Sequence, residues 1–141
     1  MHIGREPKST AYHCDPYKLC KAGKLENVLK DFPTLKICVP HLGFDETDAY
    51  RKMIEKYDNL WLDTTMVITD YFQLEEKTDL SQYRPDRIIY GSDFPNIPYA
   101  WDRELKELKA ARISPDTLEK ISGKNAADFS ISNDEPYERQ R

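Results

Sequence analysis

A chain of 141 residues is long enough for one domain with a substantial core. Its 21 basic and 25 acidic residues are interleaved and leave a net charge of -4, which argues against a general nucleic-acid binder. With 39% hydrophobic residues, a mean hydropathy of -0.77 and no run near the roughly 18 apolar residues that cross a bilayer, no membrane partner is expected.

Residues 1–4 read as the end of a strand, and Arg5 to Ala22 as a long polar loop with a helical turn at Asp15-Pro16-Tyr17. Leu25, Val28, Leu29 and Phe32 recur at three- and four-residue spacing, predicting an amphipathic helix that Pro33 closes. Leu35 to Val39 reads as a strand, Ala49, Met53 and Tyr57 as the next helix face, and Asn59 to Asp63 as a second strand. A Thr-rich loop with short helical pieces follows up to Gln82, then a strand over Arg87 to Tyr90. Helices are predicted from Trp101 to Ala111, after the Ser114-Pro115 cap, and from Lys124 to Phe129. Residues 130–141 are charged and nearly without apolar side chains, and read as a disordered tail.

Strands alternating with helices imply an α/β fold of parallel βαβ units. A (β/α)₈ barrel needs about 250 residues, so there is material for about four units, in the order of a barrel's second half. Three cysteines without a CxxC pair suit reduced thiols. The beginning lacks the basic-then-apolar layout of a secretory signal, so a cytoplasmic location is expected. Cys38 is expected to be a buried strand thiol and Trp61 a packing residue.

Three polar residues stand where apolar runs end. His2 precedes Ile3-Gly4, His41 follows Ile37-Cys38-Val39-Pro40, and Asp93 follows Ile88-Ile89-Tyr90-Gly91-Ser92. Imidazole and carboxylate bind divalent metals and move protons near neutral pH. Strand exits are where α/β barrels gather such groups. Plainer readings exist: His41 capping a strand, Asp93 forming a turn. Arg5 is a candidate clamp for a substrate carboxylate; Tyr99 and Trp101 are candidates for an aromatic pocket wall, or for packing.

The series His2-Ile3-Gly4, Pro40-His41-Leu42-Gly43, Gly91-Ser92-Asp93-Phe94-Pro95 and Lys120 to Phe129 resembles the carboxy-terminal half of the amidohydrolase-related barrels. That group includes aminocarboxymuconate semialdehyde decarboxylase and related hydrolases. The resemblance covers residues 1–129, expected as a partial barrel of the metal-dependent hydrolase type. It implies a metal-ligating role for His2. For His41 it implies a second ligand or a general acid/base, and for Asp93 a residue that touches the metal and accepts a proton. It also implies a divalent metal, expected to be zinc, and a small-molecule substrate: a carboxylate, lactone or amide that is hydrolysed or decarboxylated.

The family's further His-X-His pair is not matched, because no two of the three histidines are separated by one residue. Tight metal binding by this chain alone is therefore not expected. The start directly before His2 reads as that of a truncated product or partial gene model. A non-catalytic remnant that self-associates through open strand edges, as a homo-oligomer, is the rival expectation.

Overall fold

The computed structural model describes residues 13–69, 71 and 77–130. The strand expected at 1–4, with His2 and Arg5, and the tail beyond Ser130 lie outside the described residues. The chain opens with a helical turn, α1 (Pro16–Leu19), and an amphipathic helix, α2 (Ala22–Asp31). Ala22, Leu25 and Leu29 form the buried face of α2. Phe32, expected on that face, is 58% exposed: it lies one residue past the helix, where the backbone has already left helical geometry.

Strand β1 (Ile37–Val39) leads through a sharp corner into α3 (Thr47–Lys56), and β2 (Leu60–Asp63) follows. Strand β3 (Ile88–Ile89) comes after a stretch whose described part holds two single turns of 3-10 helix, Leu80–Gln82 and Pro85–Arg87. Helices α4 (Arg103–Ala110), α5 (Pro115–Glu119) and α6 (Asn125–Ser130) close the described chain, with a wider helical turn over Lys120–Lys124 joining the last two. Ser114 caps α5 as its sequence suggests, its hydroxyl accepting from the Thr117 amide at 3.1 Å. Ser130 ends α6, so the helix runs one residue into the segment expected as tail.

The strands form one parallel sheet in the order β1-β2-β3, with Ile37 opposite Leu60 and Leu62 opposite Ile88. The strands are shorter than expected, and Leu35 is exposed ahead of β1 rather than part of it. Val39, Leu60, Leu62 and Ile88 are fully buried against Leu25 and Leu29 of α2, Tyr50 and Ile54 of α3, Leu108 of α4 and Ile121. Full burial of each aliphatic side chain contributes about 1.5–3 kcal/mol.

Two buried asparagines tie helices to this core. The Asn59 side-chain amide donates to the carbonyls of Leu29, Phe32 and Leu35, satisfying the end of α2. That of Asn125 donates to the carbonyls of Pro85 and Ile88, both at 2.7 Å, pinning α6 to the approach of β3. Trp61 is buried, as expected, with the Phe129 ring edge-on at 5.4 Å and the Arg87 guanidinium 4.7 Å from its centroid. Cys38 is half-buried, and burial pushes its thiol up to about 12. Among the described residues no helix is long and apolar enough to cross a membrane.

Candidate functional site at the strand exits

Parallel strands deliver their carboxyl ends to one side of a sheet, and the loops leaving those ends carry the positive-φ backbone found among the described residues. After β1, His41, Leu42, Gly43 and Phe44 all have positive φ (59°, 50°, 84° and 52°). After β2, Met66 does (65°), and after β3, Asp93 (53°). Left-handed residues other than glycine cost roughly 1–2 kcal/mol each, and such strain gathers where side chains must be aimed. Gly43 is required, because a Cβ there would lie 1.9 Å from Cδ2 of the buried Tyr50 ring.

One carboxylate joins the first two exits. Asp63, the last residue of β2, uses Oδ1 to accept from the His41 amide and from the Thr65 amide, each at 3.0 Å. The His41 ring is fixed from the same loop: Nδ1 lies 2.8 Å from the Thr65 carbonyl oxygen. A carbonyl only accepts, so this bond places the proton on Nδ1 and leaves the lone pair on Nε2.

The third exit closes against these two. The Thr64 amide donates to the Ile89 carbonyl (3.0 Å), and the Gly91 amide to the Thr64 hydroxyl (3.3 Å). Gly91 approaches so closely that a Cβ would sit 2.1 Å from Thr65 Oγ1 and 3.4 Å from Asp63 Cγ. Two residues on, Asp93 turns the chain: its carbonyl accepts from the Asn96 amide (2.8 Å) and its Oδ1 from the Asn96 side chain (3.0 Å). The turn role weighed from sequence is thus present at Asp93, and its second carboxylate oxygen has no part in that turn.

His41 and Asp93 therefore stand at the two outer exits of one sheet, on either side of β2, whose own exit links them through Asp63, Thr64, Thr65 and Gly91. His2 and Arg5 lie outside the described residues. Tyr99 packs edge-on to Tyr71 with ring centroids 5.8 Å apart, and the Arg103 guanidinium sits 4.3 Å from its centroid. Trp101 is 61% exposed, so a packing role for it is not seen; its carbonyl accepts from the Tyr90 hydroxyl at 3.3 Å.

Sequence reasoning missed Asp63 and Thr65. Asp63 carried a signal, being a carboxylate at a strand end before two threonines, as His41 and Asp93 stand at theirs. It also missed Glu104, a carboxyl buried on α4 whose charge burial disfavours, against hydrogen bonds from Thr69 and Met66. Among the described residues, no group of three or more His, Cys, Asp or Glu is arranged to hold a metal ion. The described donors do not by themselves compose a metal site.

A family model described as amidohydrolase matches residues 21–129. Among solved structures, 2,6-dihydroxybenzoate decarboxylase complexed with 2,6-dihydroxybenzoate matches at a TM-score of 0.52 and 20% identity, over 77% of this chain and 39% of that one. 5-Carboxyvanillate decarboxylase LigW from Sphingomonas paucimobilis matches at a TM-score of 0.48 and 18% identity, over 72% of this chain and 35% of that one. The chain thus spans well under half the length of either structure. A comparison with curated proteins finds no significant match.

Proposed function

The chain belongs to the amidohydrolase family, and from that premise we propose that it carries part of the site of a metal-dependent hydrolase or decarboxylase acting on a small carboxylate, lactone or amide. On this reading the sheet is the carboxy-terminal half of a barrel, and His41 is its acid/base. The observation that supports this most is the fixed imidazole, whose Nδ1 is bonded to the Thr65 carbonyl so that the neutral ring carries its basic lone pair on Nε2. In decarboxylation, a protonated His41 would give its Nε2 proton to the carbon from which CO₂ departs. The electron pair of the broken carbon–carbon bond forms the new C–H bond, and neutral imidazole remains. In hydrolysis, neutral Nε2 would take a proton from the attacking water.

Asp93 is proposed as the second proton acceptor, with Tyr99 and Trp101 as a wall for an aromatic or apolar part of the substrate. A divalent metal, zinc by resemblance, needs donors beyond those described; it would supply Lewis-acid stabilisation of developing negative charge. His2 and Asp93 remain its proposed ligands from this chain, and Arg5 the proposed carboxylate clamp.

The test presents the chain with zinc and a panel of small aromatic carboxylates, lactones and amides, beside a His41→Asn variant. Turnover that disappears in the variant and on chelation supports the proposal. Turnover unchanged in the variant overturns the acid/base role of His41, and turnover unchanged by chelation overturns the metal dependence. The exposed Phe94, Tyr99 and Trp101 beside the β3 exit favour a second reading, a self-associating half-barrel. Sedimentation showing only monomer would sink that one.

A further inference from the structure

We propose that Glu104 is a positioning residue for His41, acting through the single peptide unit that joins Thr65 to Met66. The carbonyl of that unit accepts from His41 Nδ1 at 2.8 Å, and its N–H donates to Glu104 Oε1 at 3.1 Å. A peptide unit is planar, so fixing the direction of its N–H fixes that of its carbonyl. The two hydrogen bonds run in the same sense, from imidazole to peptide and from peptide to carboxyl. Bonds chained in this way polarise one another, so an acceptor at Glu104 strengthens the carbonyl that holds the imidazole proton.

Three features show that Glu104 is built for this contact. It is 1% exposed, on the face of α4 that also buries Leu108, where an apolar side chain would avoid the cost of desolvating a carboxyl. Its Oε1 takes a second bond, from the Thr69 hydroxyl at 2.7 Å, so both ends of the Met66–Thr69 turn are held by one atom. Its Oε2 is buried without a hydrogen-bond partner among the described residues. The neighbouring Arg103 donates to the Thr69 carbonyl at 2.7 Å and covers the Tyr99 ring. Met66 itself has φ 65°, a conformation that surrounding contacts must maintain. Glu104 supplies one of those contacts, and the conformation it maintains aims the Thr65 carbonyl at the imidazole.

The consequence for chemistry, that Nε2 is the working nitrogen, rests on the function proposed above. The positioning itself does not, and is read without any turnover. In a chain with ¹⁵N-labelled histidine, long-range proton–nitrogen correlation reports which ring nitrogen of neutral His41 carries the proton. The wild type is expected to show the Nδ1–H form and a Met66 amide protected from solvent exchange. Glu104→Gln keeps an acceptor oxygen and should keep both signatures. Glu104→Leu removes it and should shift His41 towards the Nε2–H form. A folded Glu104→Leu protein with an unchanged His41 overturns the proposal, and so does a wild-type ring protonated on Nε2.

Should Glu104→Leu not fold, Thr69→Val removes the competing donor to the same oxygen. The Met66 amide and the His41 Nδ1–H resonances are then expected to move together, and a His41 ring that stays unchanged overturns the coupling. Loss of turnover with this linkage intact would count against the proposed function alone.

Discussion

Replacing Gly91 with alanine tests how tightly the three strand exits are locked together. The added methyl would lie 2.1 Å from Thr65 Oγ1, while its next neighbours, Asp63 Cγ and Thr65 Cβ, are at an ordinary 3.4 Å. One atom therefore accounts for nearly all of the conflict. Thr65 is buried, and as a β-branched residue it is stiff at χ1, so the strain passes into the backbone of both loops. Overpacking of this kind costs about 1–3 kcal/mol.

Removing the offending atom should return most of that cost. In the Gly91→Ala/Thr65→Ala double variant only the 3.4 Å contacts remain. The two substitutions should then show a favourable interaction energy on the order of 1–2 kcal/mol, within the range seen for residues in contact. Urea unfolding of the wild type, both single variants and the double variant measures this directly, provided the slope with denaturant is unchanged. Additive effects, agreeing within about 0.5 kcal/mol, would refute the close approach of Gly91 to Thr65 on which the site geometry depends.

Two further outcomes follow from contacts elsewhere. Asn125→Ala should cost about 1–3 kcal/mol, because it strands the buried Ile88 carbonyl and frees the partly buried Pro85 carbonyl. Asn125→Asp should cost at least as much, having the same size but acceptors in place of the donor; an unfolding midpoint equal to the wild type in either variant contradicts this. Glu26 is held at about 2, below its usual 4.5, first by the hydrogen bond from the Lys56 ammonium and then by that from the Tyr57 hydroxyl. A depressed carboxyl stabilises the fold above about 4.5, and that contribution is lost as pH falls towards about 2. Glu26→Gln should flatten the acid limb of stability across that window, read from urea midpoints; an unaltered limb would show that the pair contributes nothing.

The alternation of strands and helices was legible because short apolar runs such as Ile37-Cys38-Val39 and Leu60-Trp61-Leu62 are bounded by proline, asparagine and aspartate. The placement of His41 and Asp93 just past such runs was legible for the same reason. What joins them was not. Asp63 reaches back 22 residues to the His41 amide, Asn125 reaches 37 to Ile88, and Glu104 reaches 38 to Met66. No periodicity encodes such pairings; they exist only once the chain has folded.

Phe32 shows a different failure: its spacing fits the helix face, but α2 ends at Asp31, before Phe32 can join it. The left-handed corner after β1 carried one signal, Gly43, while His41, Leu42 and Phe44 adopt its geometry against their own preference.

That corner restricts which replacements at position 41 can be interpreted. Its backbone, at φ 59° and ψ 30°, is one that asparagine adopts with comparative ease and that valine, isoleucine and threonine resist. A β-branched substitute would remodel the bend as well as delete the ring, confounding shape with chemistry. Asparagine erases the imidazole while leaving the path of the chain intact, and is the informative swap there.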